Sequence, residues 1–172
     1  MDEQTIDRMF ELIYANMNAI MPTGNTKEQD YALWRQAFDE GLQNSMRHVL
    51  YCRDDDLVGY LSYVIGEADS AIHLCELEIR PQSRKDGLTL RVLLSHFLRE
   101  VGHCAACTMR TYANDRNPTS QELISKLGFE VEEKTHGGKR YKIDKDALMT
   151  RLSRIMTSRP LSRPGDRLRS FP

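Results

Sequence analysis

A short polar loop, Arg84-Lys85-Asp86-Gly87-Leu88-Thr89, stands between a β-prone run and a strongly amphipathic stretch in this chain of 172 residues. A strand–loop–helix junction exposes backbone N–H groups at the positive end of a helix dipole, and a pyrophosphate fits such an anion site. Gly87 permits a close backbone approach or a positive φ, and Arg84 and Lys85 add fixed charge. The same residues also fit an ordinary solvated loop. Just upstream, Glu76 and Glu78 alternate with Leu77 and Ile79, so both carboxylates share one strand face. With Leu77 and Ile79 in the core, the acids face either solvent or a cleft. In a cleft, a carboxylate can take a proton from an incoming group. Tyr112, at the end of a later β-prone run, offers a hydroxyl or a purely structural ring.

Cys104-Ala105-Ala106-Cys107 invites a metal or redox reading, but tetrahedral zinc takes four ligands and the sequence has no second cysteine pair. Nothing in the spacing ties His103 or His136 to that pair, so no metal is expected. Trp34, with Tyr31 and Phe38 on the same helical face, reads as core or as one wall of an acceptor pocket.

The elements that must position these residues follow from periodicity. Apolar residues at helical spacing predict helices over 5–20, with Thr5 as candidate N-cap, and over 27–43, 88–101, 118–126 and 145–156. β-prone runs predict strands over 47–52, 57–65, 72–79 and 108–112, and a hairpin of 130–134 with 140–143 across His136-Gly137-Gly138. Two helices, three antiparallel strands, then helix, strand, helix, hairpin and helix make an α+β fold around one mostly antiparallel sheet. One domain is expected over 1–157. The stretch 158–172, with three prolines and four arginines, reads as a flexible basic tail.

The net charge of −1 conceals an asymmetry: from Arg151 onward six arginines meet one acid, Asp166, so this stretch is +5 and the rest −6. Arginines without interleaved aromatics make a weak nucleic-acid signal, and none is expected as partner. Docking on an acidic partner or on a second copy in a homodimer stays open. Met1-Asp2-Glu3 opens no apolar signal segment and no apolar run reaches membrane length, so a cytoplasmic protein with reduced thiols and no membrane partner is expected.

The stretch from Leu77 to Thr89 resembles the signature of the GNAT superfamily of acetyl-CoA-dependent N-acyltransferases: an apolar strand, a proline (Pro81), then a basic, glycine-containing loop opening a helix. Asn117, followed ten residues on by Leu127-Gly128-Phe129, resembles the family's second motif, and the likeness covers roughly 47–143. It implies that the strand before the loop splays from its neighbour and that Leu77 and Ile79 pair their backbone with the pantetheine arm. The amides of Arg84, Lys85, Asp86, Gly87, Leu88 and Thr89 would hold the pyrophosphate, and Asn117 would reach the cofactor. The implied reaction is acetyl transfer from acetyl-CoA to an amine on a small molecule or a protein.

The chemistry needs the amine made neutral, which gives Glu76 the role of base and Glu78 that of helper or substrate anchor. The sequence departs from the family at three places. Thr89 stands at the last glycine position, Ile124 replaces a tyrosine that protonates the departing thiolate, and no strand precedes the first helix. Tyr112 is the candidate to replace that acid. A non-catalytic acyl-CoA-binding module and an interaction protein acting through its arginine-rich end are the alternatives.

Overall fold

Asp2 accepts a hydrogen bond from the Thr5 amide at 2.8 Å and starts α1 (Glu3–Asn18), so Asp2 rather than Thr5 is the N-cap. Thr26 and Gln29 close a reciprocal capping box at the start of α2 (Lys27–Gln43). β1 (Arg47–Arg53), β2 (Asp56–Gly66) and β3 (Ala71–Ile79) then form an antiparallel meander. After a single 3-10 turn (Pro81–Ser83) come α3 (Leu88–Val101), β4 (Thr108–Asn114), α4 (Pro118–Lys126), β5 (Glu130–Thr135), β6 (Gly138–Asp144), α5 (Lys145–Met156) and β7 (Asp166–Phe171). This computed structural model describes residues 1–66, 69–85, 87–156 and 165–171, with 154–156 by backbone alone.

Among the described residues, five α-helices flank one seven-stranded sheet in the order β5-β6-β4-β3-β2-β1-β7. Neighbouring strands run antiparallel except for β3 and β4, which are parallel. This is the α+β architecture that the sequence implies, with no strand before α1. No helix among the described residues is long and apolar enough to cross a membrane.

Each sheet face buries its own cluster. α3 and α5 cover one face, where Leu93, Leu94, Phe97 and Leu148 meet Leu61, Tyr63, Ile72 and Met109. α1 and α2 cover the other, where Ile6, Met9, Leu12 and Phe38 meet Leu50, Leu57 and Tyr60. Central strands apolar on both faces explain the near-continuous apolar run of β2.

The expected flexible tail is corrected over Asp166–Phe171. That stretch is β7, paired antiparallel with β1 from His48↔Phe171 to Arg53↔Asp166. Residues 157–164 and Pro172 lie outside the described residues. Arg167 and Arg169 alternate with Leu168 and Ser170, so an arginine-rich composition conceals a period of two. Specific contacts hold the strand: Phe171 packs against the α1–α2 cluster, Arg53 meets Asp166 at 3.3 Å and Arg167 meets Asp55 at 2.8 Å.

Phe97 is fully buried and sits edge-on to Tyr63 with ring centroids 5.0 Å apart. Phe97→Ala should therefore lower the unfolding free energy by about 3–5 kcal/mol in chemical denaturation. A loss under about 1 kcal/mol, the range of a surface change, would show that α3 does not seal this face.

Candidate active site

β3 stays paired with β2 to its end, through Gly59↔Ile79. It pairs with β4 only from Ala71↔Thr108 to Leu74↔Thr111, while β4 continues along β6 to Asn114↔Gly138. The Thr111 hydroxyl donates to the Leu74 carbonyl at 3.1 Å where the strands part. Beyond that point the sheet is forked, as the splay implied by the resemblance requires. Cys75 is an extra residue in β3, because Ser62 pairs with Glu76 and Tyr63 with Leu74. The bulge resets the alternation. Ile72 and Leu74 before it and Leu77 and Ile79 after it all face the α3 cluster, and Glu76 and Glu78 turn to the α1 side.

The fork opens two adjoining cavities. One, of about 380 Å³, is lined by Asn16, Glu78, Ser83, Arg84 and Gly87 among others. The other, of about 340 Å³, is lined by Glu76, Glu78, Thr111, Tyr112 and Asn114 among others. Leu77, Glu78, Asn117 and Leu123 line both, so the two form one continuous cleft.

At one end of the cleft lies the start of α3. Gly87 is its N-cap, in the left-handed region at φ 63° and ψ 5°, and a Cβ there would meet nothing within 4 Å. The Arg84 side chain is tied back by its Nε to the Ile79 carbonyl at 2.9 Å. Lys85 is exposed, Leu88 is buried, and Asp86 lies outside the described residues. Thr89 is 1% exposed, with its methyl against Gly59 of β2, so its bulk is turned into the core. Gly59 allows this approach, since a Cβ there would sit 2.8 Å from the Glu78 carbonyl oxygen. Asn117 caps α4 by accepting from the Ser120 amide at 3.0 Å and lines the cleft from that position.

Toward the other end lie the two carboxylates. Burial raises Glu78, to about 7, and the charge of Glu76 adds to the rise; a hydrogen bond from Asn16 Nδ2 at 2.5 Å and the charge of Arg84 oppose it. Burial also raises Glu76, against the side chains of Tyr60, Ser62 and Trp34, which favour its charged form. Ser62 Oγ donates to Glu76 Oε2 at 3.3 Å. Burial therefore dominates at both acids and donors limit it. Tyr112 is half exposed and its hydroxyl lies over Gly138 of β6, the strand on the far side of β4 from Glu76 and Glu78.

The structure thus brings Glu76, Glu78, Leu77, Ile79, Arg84, Gly87 and Asn117 to one cleft and sends Thr89 and the Tyr112 hydroxyl elsewhere. It adds residues that sequence reasoning missed. Asn16 is 5% exposed and its Nδ2 reaches both Glu78 and the Ile79 carbonyl, the latter at 3.2 Å. Its signal was a polar residue inside the apolar stripe of α1, three positions after Ile13 and seven after Met9. Ser62 gave a similar signal, as the one serine in the apolar run of β2.

The sequence matches no protein-family model and no curated protein. Solved structures do match in shape. The paia N-acetyltransferase of Thermoplasma acidophilum, in complex with coenzyme A, aligns with TM-score 0.64 and 14% identity over 84% of this chain and 95% of that chain. An acetyltransferase of the GNAT family from Staphylococcus aureus Mu50 aligns with TM-score 0.65 and 11% identity over 84% and 96%. The spermidine/spermine N-acetyltransferase SpeG of Vibrio cholerae aligns with TM-score 0.55 and 15% identity over 83% and 91%. At these identities the likeness is one of shape, and it spans nearly the full length of each relative. This chain has the GNAT acetyltransferase fold.

Proposed function

We propose that the chain moves an acetyl group from acetyl-CoA to a primary amine by direct attack on the thioester. The observation that carries this reading is the forked sheet, whose single cleft joins the start of α3 to a buried carboxylate pair. The fold shared with acetyltransferases supports transfer of an acetyl group in general, and the relative bound to coenzyme A supports the donor.

The residues present fit the donor. Gly87 leaves open space where a side chain would otherwise stand, beside the positive end of the α3 dipole. The loop of Arg84, Lys85, Asp86, Gly87, Leu88 and Thr89 is assigned to the pyrophosphate, through its amides and its basic side chains. Leu77 and Ile79 are assigned to the pantetheine arm, because β3 has no strand partner on this side beyond Leu74. Asn117 borders the same channel. Acetyl-CoA supplies a thioester carbonyl open to attack.

An alkylamine arrives protonated near neutral pH and attacks only after losing that proton. A base is most effective when its pKa lies near the working pH, which favours Glu78 over Glu76, the first choice from sequence. The nitrogen–carbon bond forms and the carbon–sulfur bond breaks; of the two protons the nitrogen gives up, one leaves before attack through Glu78 to solvent, and the other, shed as the amide forms, goes to the departing thiolate. Neither Ile124 nor the outward-leaning Tyr112 is required for that balance. The Glu76 carboxylate beside Trp34 suits a cationic acceptor. The spermidine/spermine enzyme among the structural relatives makes polyamines the first amines to assay.

Release of free CoA with a polyamine tests the reading directly. Binding of acetyl-CoA with no release from any amine would replace it with a non-catalytic binding module. Gly87→Val, which adds bulk at a positive φ, should weaken acetyl-CoA binding tenfold or more by calorimetry, about 1.4 kcal/mol, with the melting temperature as control. Unchanged affinity would remove the loop from the site.

Glu78→Gln should cut turnover roughly a hundredfold, abolish the fall in rate below about pH 7 and leave acetyl-CoA affinity unchanged. Stability gives a second measure. Native Glu78 holds its proton more tightly than the unfolded chain does, so its contribution is fully present below the ordinary value of 4.5 and is lost as pH rises through about 7. Melting temperature should fall across that window in the parent, and Glu78→Gln should flatten the slope. An identical slope in the variant would rule out the raised value.

A further inference from the structure

His48, Ser62 and Glu76 stand at one register position on three neighbouring strands, His48↔Ser62 across β1 and β2 and Ser62↔Glu76 across β2 and β3. They form one polar row across the three strands. His48 and Ser62 are both 0% exposed, and the imidazole stacks on Phe38 with centroids 5.0 Å apart. His48 Nδ1 lies 2.8 Å from Ser62 Oγ, and Ser62 Oγ donates to Glu76 Oε2. His48 Nε2 has no hydrogen-bond partner among the described residues.

The direction of this chain follows from counting hydrogens. Serine carries one hydroxyl hydrogen. Spent on Glu76, it leaves only lone pairs facing His48, so the ring must present Nδ1–H and leave Nε2 bare. The reverse direction needs a protonated Glu76 donating to Ser62, Ser62 donating to His48 Nδ1, and an Nε2–H buried against Phe38 with no acceptor. An orphaned N–H in apolar surroundings is the costlier arrangement. Burial holds the imidazole neutral, pushing it down to about 4, so it acts as a fixed dipole and not as a proton store.

We propose that His48 and Ser62 are positioning residues: a one-way hydrogen-bond chain that keeps Glu76 the ionised member of the carboxylate pair and leaves proton acceptance to Glu78. Two further side chains favour this division and two oppose it. On β2, Tyr60 favours a charged Glu76, as does Trp34 of α2. On β3, Cys75 is a thiol, pushed up to about 11 by burial and by the Glu76 charge. Asn16 of α1 and Arg84 face Glu78 and oppose its rise, yet Glu78 remains high because burial outweighs them, and the ionised Glu76 beside it adds to the rise. The row thus acts on the base indirectly, by keeping a negative charge fixed two residues away.

The protonation pattern does not depend on turnover, and only the word base rests on the transfer reading. The test accordingly uses the full chain without substrate. In long-range proton–nitrogen spectra between about pH 6 and 8, His48, assigned with His48→Gln, should be a neutral Nδ1–H tautomer. An Nε2–H tautomer or an imidazolium would overturn the proposal on the parent protein alone, whether or not any variant folds. In infrared titration over the same range, the protonated-carboxyl band should be lost in Glu78→Gln and persist in Glu76→Gln. The opposite pattern overturns the proposal. Ser62→Ala should raise the titration of Glu76 by about one pH unit, and Ser62→Thr, which keeps the hydroxyl, should restore it. An unmoved titration in a folded Ser62→Ala would overturn the chain as well. A confirmed pattern without CoA release from any amine would remove the transfer reading and leave the chain standing.

Discussion

The parting of β3 from β4 after Leu74 and Thr111 is the constraint on which the site depends. Each strand stays committed to its other neighbour, β3 to β2 as far as Ile79 and β4 to β6 as far as Asn114. Sheet twist then carries the two apart. Backbone polar groups along the gap need partners, because an unpaired peptide group away from water is costly. An extended arm carrying amides is the kind of ligand that meets such an edge. The fork also places α3 and α4 at the mouth of the gap and α1 on its other side, so one cleft is bounded by helices from both layers.

The bulge at Cys75 decides which side chains look into that cleft. Under strict alternation Leu74 would share a face with Glu76 and Glu78. The extra residue lets Leu74 join Leu77 and Ile79 in the α3 core and gives the acids to the opposite side. There they meet a mixed environment in which apolar surroundings raise both carboxyls while Asn16, Ser62, Tyr60 and Trp34 stabilise charge. Two adjacent buried carboxylates with different donors are a means of separating their roles. The arrangement costs stability at neutral pH, and sites for proton transfer commonly carry that cost.

At the opposite edge the molecule uses its C-terminal segment to cover β1. Pairing with β7 removes an exposed edge from the central meander, and Ser170 reaches Glu100 of α3, which also accepts from Tyr63 at 2.7 Å. β1 supplies His48 to the polar row, so covering this strand also secures the far end of the row.

The sequence by itself determined the order and type of the elements before residue 157, the loop at Gly87 and the shared face of Glu76 and Glu78. Those features are legible because helical and strand periods are local, and because a glycine ahead of an apolar helix marks a junction wherever it folds. The N-cap of α1, only three residues from the expected one, was a choice between two capable side chains. Tertiary structure decided the rest. The charge state of Glu78 depends on Asn16, 62 positions away in the chain, and on how completely α1 covers it. The state of Glu76 depends on a cross-strand register that joins three strands. The inward turn of Thr89 depends on Gly59, and the outward lean of Tyr112 on Gly138. The strand at Asp166–Phe171 exists because β1 presents an open edge and the acids near it receive the arginines. Local pattern specifies a backbone path, whereas desolvation, register and edge pairing are properties of surfaces that meet only after the chain has folded.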